Sequence, residues 1–174
     1  MAFARRKTPY DEAALYDYAV GALARQMRSV AELKRLLRRR VAGQDHADIL
    51  VELVVLRLKD QRYLNDTQYA TAYSGYRREN EKFGRLRVIS DLKNKGVHSD
   101  VIEKTVSEAY AGVSEEKLAR QFLARKRVRK PEDRRQAAKI FRALARAGFT
   151  TGVIVSILKK WHVDEEFLTA LETE

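Results

Sequence analysis

The chain has 174 residues, with 35 lysines and arginines against 24 aspartates and glutamates, and its formal charge is +11. It has no cysteine, which removes disulfides, thiolate metal sites and thiol nucleophiles together. No run approaches the roughly 18 apolar residues of a membrane span and no signal-peptide pattern opens the chain, so a soluble cytoplasmic protein with no membrane partner is expected.

In chain order, residues 1–8 form a basic lead-in. Thr8-Pro9-Tyr10-Asp11 then reads as a helix start with Thr8 as cap and Pro9 in the first turn, burying Leu15, Tyr18, Ala19, Ala22 and Leu23 and ending near Gln26. Ser29-Val30-Ala31-Glu32 is a capping box before Leu33, Leu36 and Leu37. After Gly43 a longer helix, about 45–60, is expected to bury Ile49, Leu50, Leu53, Val54 and Leu56. Asp66 is read as the cap of the next helix, whose Tyr69, Tyr73 and Tyr76 recur at i, i+4, i+7 and should face a core. Val88, Ile89 and Leu92 carry another helix that Gly96 stops, and Ser99 or Asp100 starts one burying Ile102, Val106 and Tyr110. Ser114 caps a helix with Leu118, Ala119, Phe122 and Leu123 inside. Lys130-Pro131-Glu132 interrupts it and begins a helix carrying Ile140, Phe141 and Leu144. Thr150 or Thr151 opens the next, with Val153, Ile154, Ile157 and Leu158 inside, and 161–174 is an acidic tail, either a capping helix or partly disordered.

These helices repeat. Adding 52 carries Val88, Leu92, Gly96, Val97, Ile102 and Val106 onto Ile140, Leu144, Gly148, Phe149, Ile154 and Leu158, and subtracting 56 carries Ile89, Leu92 and Val97 onto Leu33, Leu36 and Val41. Offsets near 50 residues indicate three-helix units in tandem, at 9–62, 63–112 and 113–160. The expected fold is all-α, an elongated, curved array of three such repeats.

The residues within the repeats resemble a known family. Tyr18-Ala19 with Arg28-Ser29-x-x-Glu32-Leu33 resembles its opening motif. Tyr63-Leu64-Asn65-Asp66-x-x-Tyr69-Ala70, continued by Gly84-Arg85-x-x-Val88-Ile89-x-x-Leu92-x-x-Lys95-Gly96-Val97, resembles its central signature, and Leu144-x-x-x-Gly148-Phe149-Thr150 its closing one. In this order, over about residues 10–160, they resemble the RecX family of bacterial recombinase regulators. The resemblance implies a monomeric, non-enzymatic protein that binds the RecA recombinase filament on single-stranded DNA. It further implies lodging in the filament groove, inhibiting ATP hydrolysis and strand exchange, and some affinity for DNA itself.

The residues alone offer little catalysis. His46, His98 and His162 stand apart at helix ends, the glycines form no phosphate-cradling loop, and paired carboxylates such as Glu115 and Glu116 suit first helical turns. No cofactor or metal is expected. The charge excess is more informative, because it repels itself unless a polyanion or acidic partner answers it. Residues 1–60 hold 12 basic and 8 acidic side chains, 61–130 hold 16 and 9, and 131–174 hold 7 and 7, which places the positive field in the first three-quarters. Candidate binding residues fall in three clusters: Arg28, Lys34, Arg35, Arg38 and Arg39 with Arg40; Arg77, Arg78, Lys82, Arg85 and Arg87; and Arg125, Lys126, Arg127, Arg129 and Lys130. Each cluster reads either as a solvated face or as a contact for phosphates or acidic protein. A stand-alone helix-turn-helix DNA binder is the competing reading, weakened by the lack of Asn or Gln on the most basic helix.

Overall fold

The computed structural model describes residues 9–172, which hold ten helices and no strand. Three lie in each expected repeat: α1 (Glu12–Arg25), α2 (Val30–Arg40) and α3 (Ala47–Asp60); α4 (Asp66–Glu79), α5 (Arg85–Asn94) and α6 (Ser99–Tyr110); α7 (Glu115–Arg125), α8 (Arg134–Arg146) and α9 (Thr151–Lys160). A tenth, α10 (Glu165–Glu172), occupies the acidic tail, where Leu168 is buried and joins the core of α7–α9, as a capping helix should.

Local capping chemistry sets most boundaries. The Ser29 capping box is complete, Ser114 caps α7, and His98 accepts the Asp100 amide at the start of α6. Three expectations are corrected. Asp11, not Thr8, caps α1, its carboxylate accepting the Ala14 amide at 2.8 Å; Thr8 itself lies outside the described residues. Asn65 takes the capping role given to Asp66, accepting from Thr67 and Gln68, because Asp66 reaches 36 residues back to the Val30 amide at 2.8 Å. After Pro131 the chain turns once more before Asp133 caps α8.

The chain divides into two compact units, one of residues up to Tyr69 with Lys95–Val97 and one of the remainder. The core of the first unit gathers Leu15, Ala19, Leu33, Leu37, Val41, Val51, Val54, Val55, Leu58 and Leu64. Two expectations about faces fail here. α3 buries Val51, Val54, Val55 and Leu58 rather than Ile49, Leu53 and Leu56, which are 61%, 47% and 58% exposed. Eight of its 14 residues are large and apolar, so periodicity could not choose a face, and packing against α1 and α2 chose it. In α2 the fully buried pair is Leu33 and Leu37, which places Val88 and Leu92 opposite them by an offset of 55, not 56.

The second unit has its core in α7–α9, with Phe122 packed near Phe149 and Phe83 at centroid distances of 6.0 and 6.1 Å. On α4, Tyr69 is buried and Tyr73 half-buried, but Tyr76 is 56% exposed; the helix turns Ala70 and Ser74 inward instead.

A similar close approach occurs in each unit, made by a serine hydroxyl in the first and a backbone amide in the second. Ser29, just before α2, donates to the Lys95 carbonyl at 2.6 Å where α5 ends, and Gly96 (φ +75°) lies against Ala31. Gly84, just before α5, donates to the Ala147 carbonyl at 2.8 Å where α8 ends, and Gly148 (φ +88°) lies against Arg87. In each unit a glycine removes the Cβ that would block the approach.

Candidate partner and nucleic-acid surfaces

The basic clusters separate once their partners are visible. In the first, Lys34 pairs with Glu52 at 2.6 Å and Arg38 with Asp48 at 2.8 Å, knitting α2 to α3, while Arg40 donates to the Tyr10 hydroxyl and lies over the Tyr10 and Tyr18 rings. Arg28 is half-buried and its Nε has no hydrogen-bond partner among the described residues. Arg35 and Arg39 are exposed and free of carboxylates among those residues.

The second cluster is mostly scaffold. Arg77 donates to the Tyr73 hydroxyl at 2.8 Å, pairs with Asp91 at 3.5 Å and covers the Phe83 ring. Arg78 donates to the Ala109 carbonyl and pairs with Glu79, and Arg87 pairs with Asp91 at 3.0 Å. Nearby, burial pushes the Tyr110 phenol up to about 12 against the pull of Arg78, and its hydroxyl donates to the Phe83 carbonyl at 2.8 Å. Lys82 and Arg85 carry no ion pair among the described residues; Arg85 reaches only the Ser107 hydroxyl at 3.5 Å.

Of the third cluster, Arg125 pairs with Glu81 at 2.9 Å, whereas Lys126, Arg127, Arg129 and Lys130 are exposed on the α7–α8 loop without a partner among the described residues. Lys82 and Arg127 both sit at left-handed φ, +58° and +53°, in the turns that follow α4 and α7.

Two features escaped the sequence reading. The neutral total over 131–174 conceals a segregation of charge: Arg135, Lys139, Arg142 and Arg146 are all exposed at i, i+4, i+7, i+11 along α8, while the acids gather at 164–166 and beyond on α10. That spacing was legible; counting net charge by segment hid it. The second feature is the Ile49, Leu53 and Leu56 stripe on α3. The corresponding positions, aligned by the buried residues of each third helix, are Asp100, Lys104 and Ser107 on α6 and Gly152, Ser156 and Lys159 on α9. Two of three repeats fold with this face largely polar, so the fold does not require its apolar character in the first.

Among the described residues no group of three or more histidines and acids is placed to hold a metal, and no helix is long and apolar enough to cross a membrane.

Comparison with known proteins supplies the relationship. The family model for the second three-helix domain of RecX matches residues 65–106, which run from the α4 cap through most of α6. The regulatory protein RecX of Geobacillus kaustophilus is 29% identical over 163 residues, 91% of this chain but 59% of that protein, so this chain spans well under two-thirds of that relative's length. The crystal structure of RecX from Lactobacillus salivarius shares the fold at a TM-score of 0.63, with 20% identity over 87% of this chain and 96% of that one. A second crystal structure of regulatory protein RecX gives 0.67, with 21% identity over 86% of this chain and 71% of that one. The regulatory protein RecX of Myxococcus xanthus is 32% identical over an alignment of 157 residues, with 83% of this chain and 83% of that protein covered. Identity at that level over most of both chains is more than a common helical architecture requires, and the chain belongs to the RecX family.

Proposed function

We propose that this protein is a non-enzymatic regulator that binds the RecA recombinase filament on single-stranded DNA, lodges in its groove, and inhibits ATP hydrolysis and strand exchange. Its setting is then cytoplasmic recombinational DNA repair and the SOS response, and it acts as a monomer. Family membership supports the regulatory role. The observation that carries the partner class is the coexistence of two unlike surfaces, an apolar stripe on α3 and unpaired cations on α8 and the α7–α8 loop. A nucleoprotein filament offers both protein grooves for aliphatic anchors and phosphates for cations. Contacts through several repeats bridge adjacent recombinase subunits and fix their orientation, or exclude an incoming duplex, with an interface on the order of 1,200–2,000 Å² or more.

The test is RecA ATPase on single-stranded DNA with this protein added. The rate should fall toward a plateau as the protein saturates the filament. An unchanged rate at saturating, low-salt concentrations rejects the reading, and tight, sequence-selective binding to bare duplex at physiological salt replaces it with the helix-turn-helix alternative.

A further inference from the structure

We propose that the outward face of α8 is a contact for the phosphodiester backbone of single-stranded nucleic acid. Arg135, Lys139, Arg142 and Arg146 fall on one line of this helix, all exposed and none paired with a carboxylate among the described residues. At about 1.5 Å of rise per residue they form a ridge of charges roughly 6, 4.5 and 6 Å apart. That spacing suits successive phosphates of an extended strand better than the scattered carboxylates of a protein surface. The nearest acids in sequence do not answer it, since Asp133 is spent capping α8 through the Gln136 amide and Arg134 turns to Asp164 and the Phe167 ring.

The chemistry of the face favours nucleic acid over a protein partner. Apart from the cations, its exposed positions hold only Gln136 and Ala145, with no aromatic or large aliphatic anchor of the kind that dominates protein interfaces. Beside the ridge lies a cavity of about 330 Å³, with Arg129 and Lys139 at its rim and Leu123, Val128, Ile140 and Ala143 among its lining. An apolar shelf next to a line of cations receives the face of an unpaired base while the ridge holds its backbone, and this selects a single strand over a duplex, whose bases stay stacked. No side chain here presents a base-reading pair to a groove edge, so binding is indifferent to sequence.

The experiment titrates a labelled oligothymidylate with the full chain by fluorescence anisotropy between 50 and 200 mM salt. Replacing all four cations (R135Q/K139Q/R142Q/R146Q) should weaken binding at least ~10-fold at low salt and flatten the slope of log K against log salt by about 2–3, at about 0.7 per phosphate contact. A charge-matched control, K59Q/K93Q/K104Q/K117Q, should retain most of the slope, and the conservative R135K/R142K/R146K should bind within a few-fold of wild type. All these side chains are exposed, so folding is checked by an unchanged far-ultraviolet spectrum. An unaltered slope in the ridge variant overturns the proposal, as does an equal loss in the control or an equal loss on duplex. Intact oligothymidylate affinity with lost binding to free recombinase also overturns it, by assigning the ridge to an acidic protein surface. The inference deepens the recombinase reading, which counts the same α8 cations among its supports. Because the titration contains DNA alone, its failure leaves the ATPase result untouched, and failure of the ATPase test leaves the titration standing.

Discussion

Gly148 is the position where a single methyl group should do most damage, and three alanine variants separate the reasons. Gly112 has φ +68° with open space around it, so Gly112→Ala meets only the left-handed backbone penalty, roughly 1–2 kcal/mol. Gly84→Ala meets only the clash: its Cβ would lie 2.2 Å from the Gly148 carbonyl oxygen and 2.4 Å from its carbon. Those are backbone atoms that cannot swing aside. Parting them breaks the Gly84-to-Ala147 and Leu86-to-Gly148 hydrogen bonds, 2.8 and 3.2 Å, each about 1 kcal/mol net and more where a buried group is left unpaired. Gly148→Ala suffers both, at φ +88° and 2.1 Å from the Arg87 amide nitrogen. We expect losses of about 1–2, 2–4 and 3–6 kcal/mol in that order, the last a large share of the 5–15 kcal/mol typical of a domain. Urea unfolding followed by circular dichroism ranks them. Gly148→Asn, tolerated at left-handed φ, should rescue little. A Gly148→Ala variant within 1 kcal/mol of Gly112→Ala, or full rescue by asparagine, refutes the close-approach account.

Three further outcomes are expected. Ser29→Ala removes the α2 cap and leaves the Lys95 carbonyl without its buried donor, and should lose about 2–3 kcal/mol by urea unfolding; a loss under 0.5 contradicts the double role. Tyr110 holds its phenol neutral up to about 12 in the fold and ionises near 10 when unfolded. Its stabilisation is therefore complete below pH 10 and lost as pH rises toward 12, and Tyr110→Phe should flatten the stability slope over that window. The triple variant I49S/L53S/L56S alters only exposed side chains, so its melting temperature should change little while recombinase binding weakens at least ~10-fold. Core-sized destabilisation in that variant would place these residues inside.

How much of this was readable depended on where the deciding partner lay. The Ser29 box, the Ser114 cap and the Leu118, Ala119, Phe122 and Leu123 face are settled by residues within one or two turns, and sequence spacing found them. The role of Asp66 was decided by Val30, on a helix of the preceding repeat, so local spacing left it indistinguishable from Asn65. Gly84 stands out in the sequence only as part of the central signature, although its lack of a side chain serves a contact with Gly148, 64 positions away. Of the basic candidates, Lys34, Arg38, Arg77 and Arg125 lie beside acids brought in by folding, which counts of charge along the chain cannot foresee, whereas Arg78 and Arg87 pair with the local Glu79 and Asp91.

Comparing this chain's affinity for free recombinase, bare single-stranded DNA and the assembled filament, at one salt concentration, tests the proposed role most directly. Binding should be tightest to the filament, by at least ~10-fold over either component, because only there are aliphatic anchors and phosphates engaged together. Affinity for bare DNA equal to that for the filament would contradict it and leave a nonspecific DNA binder.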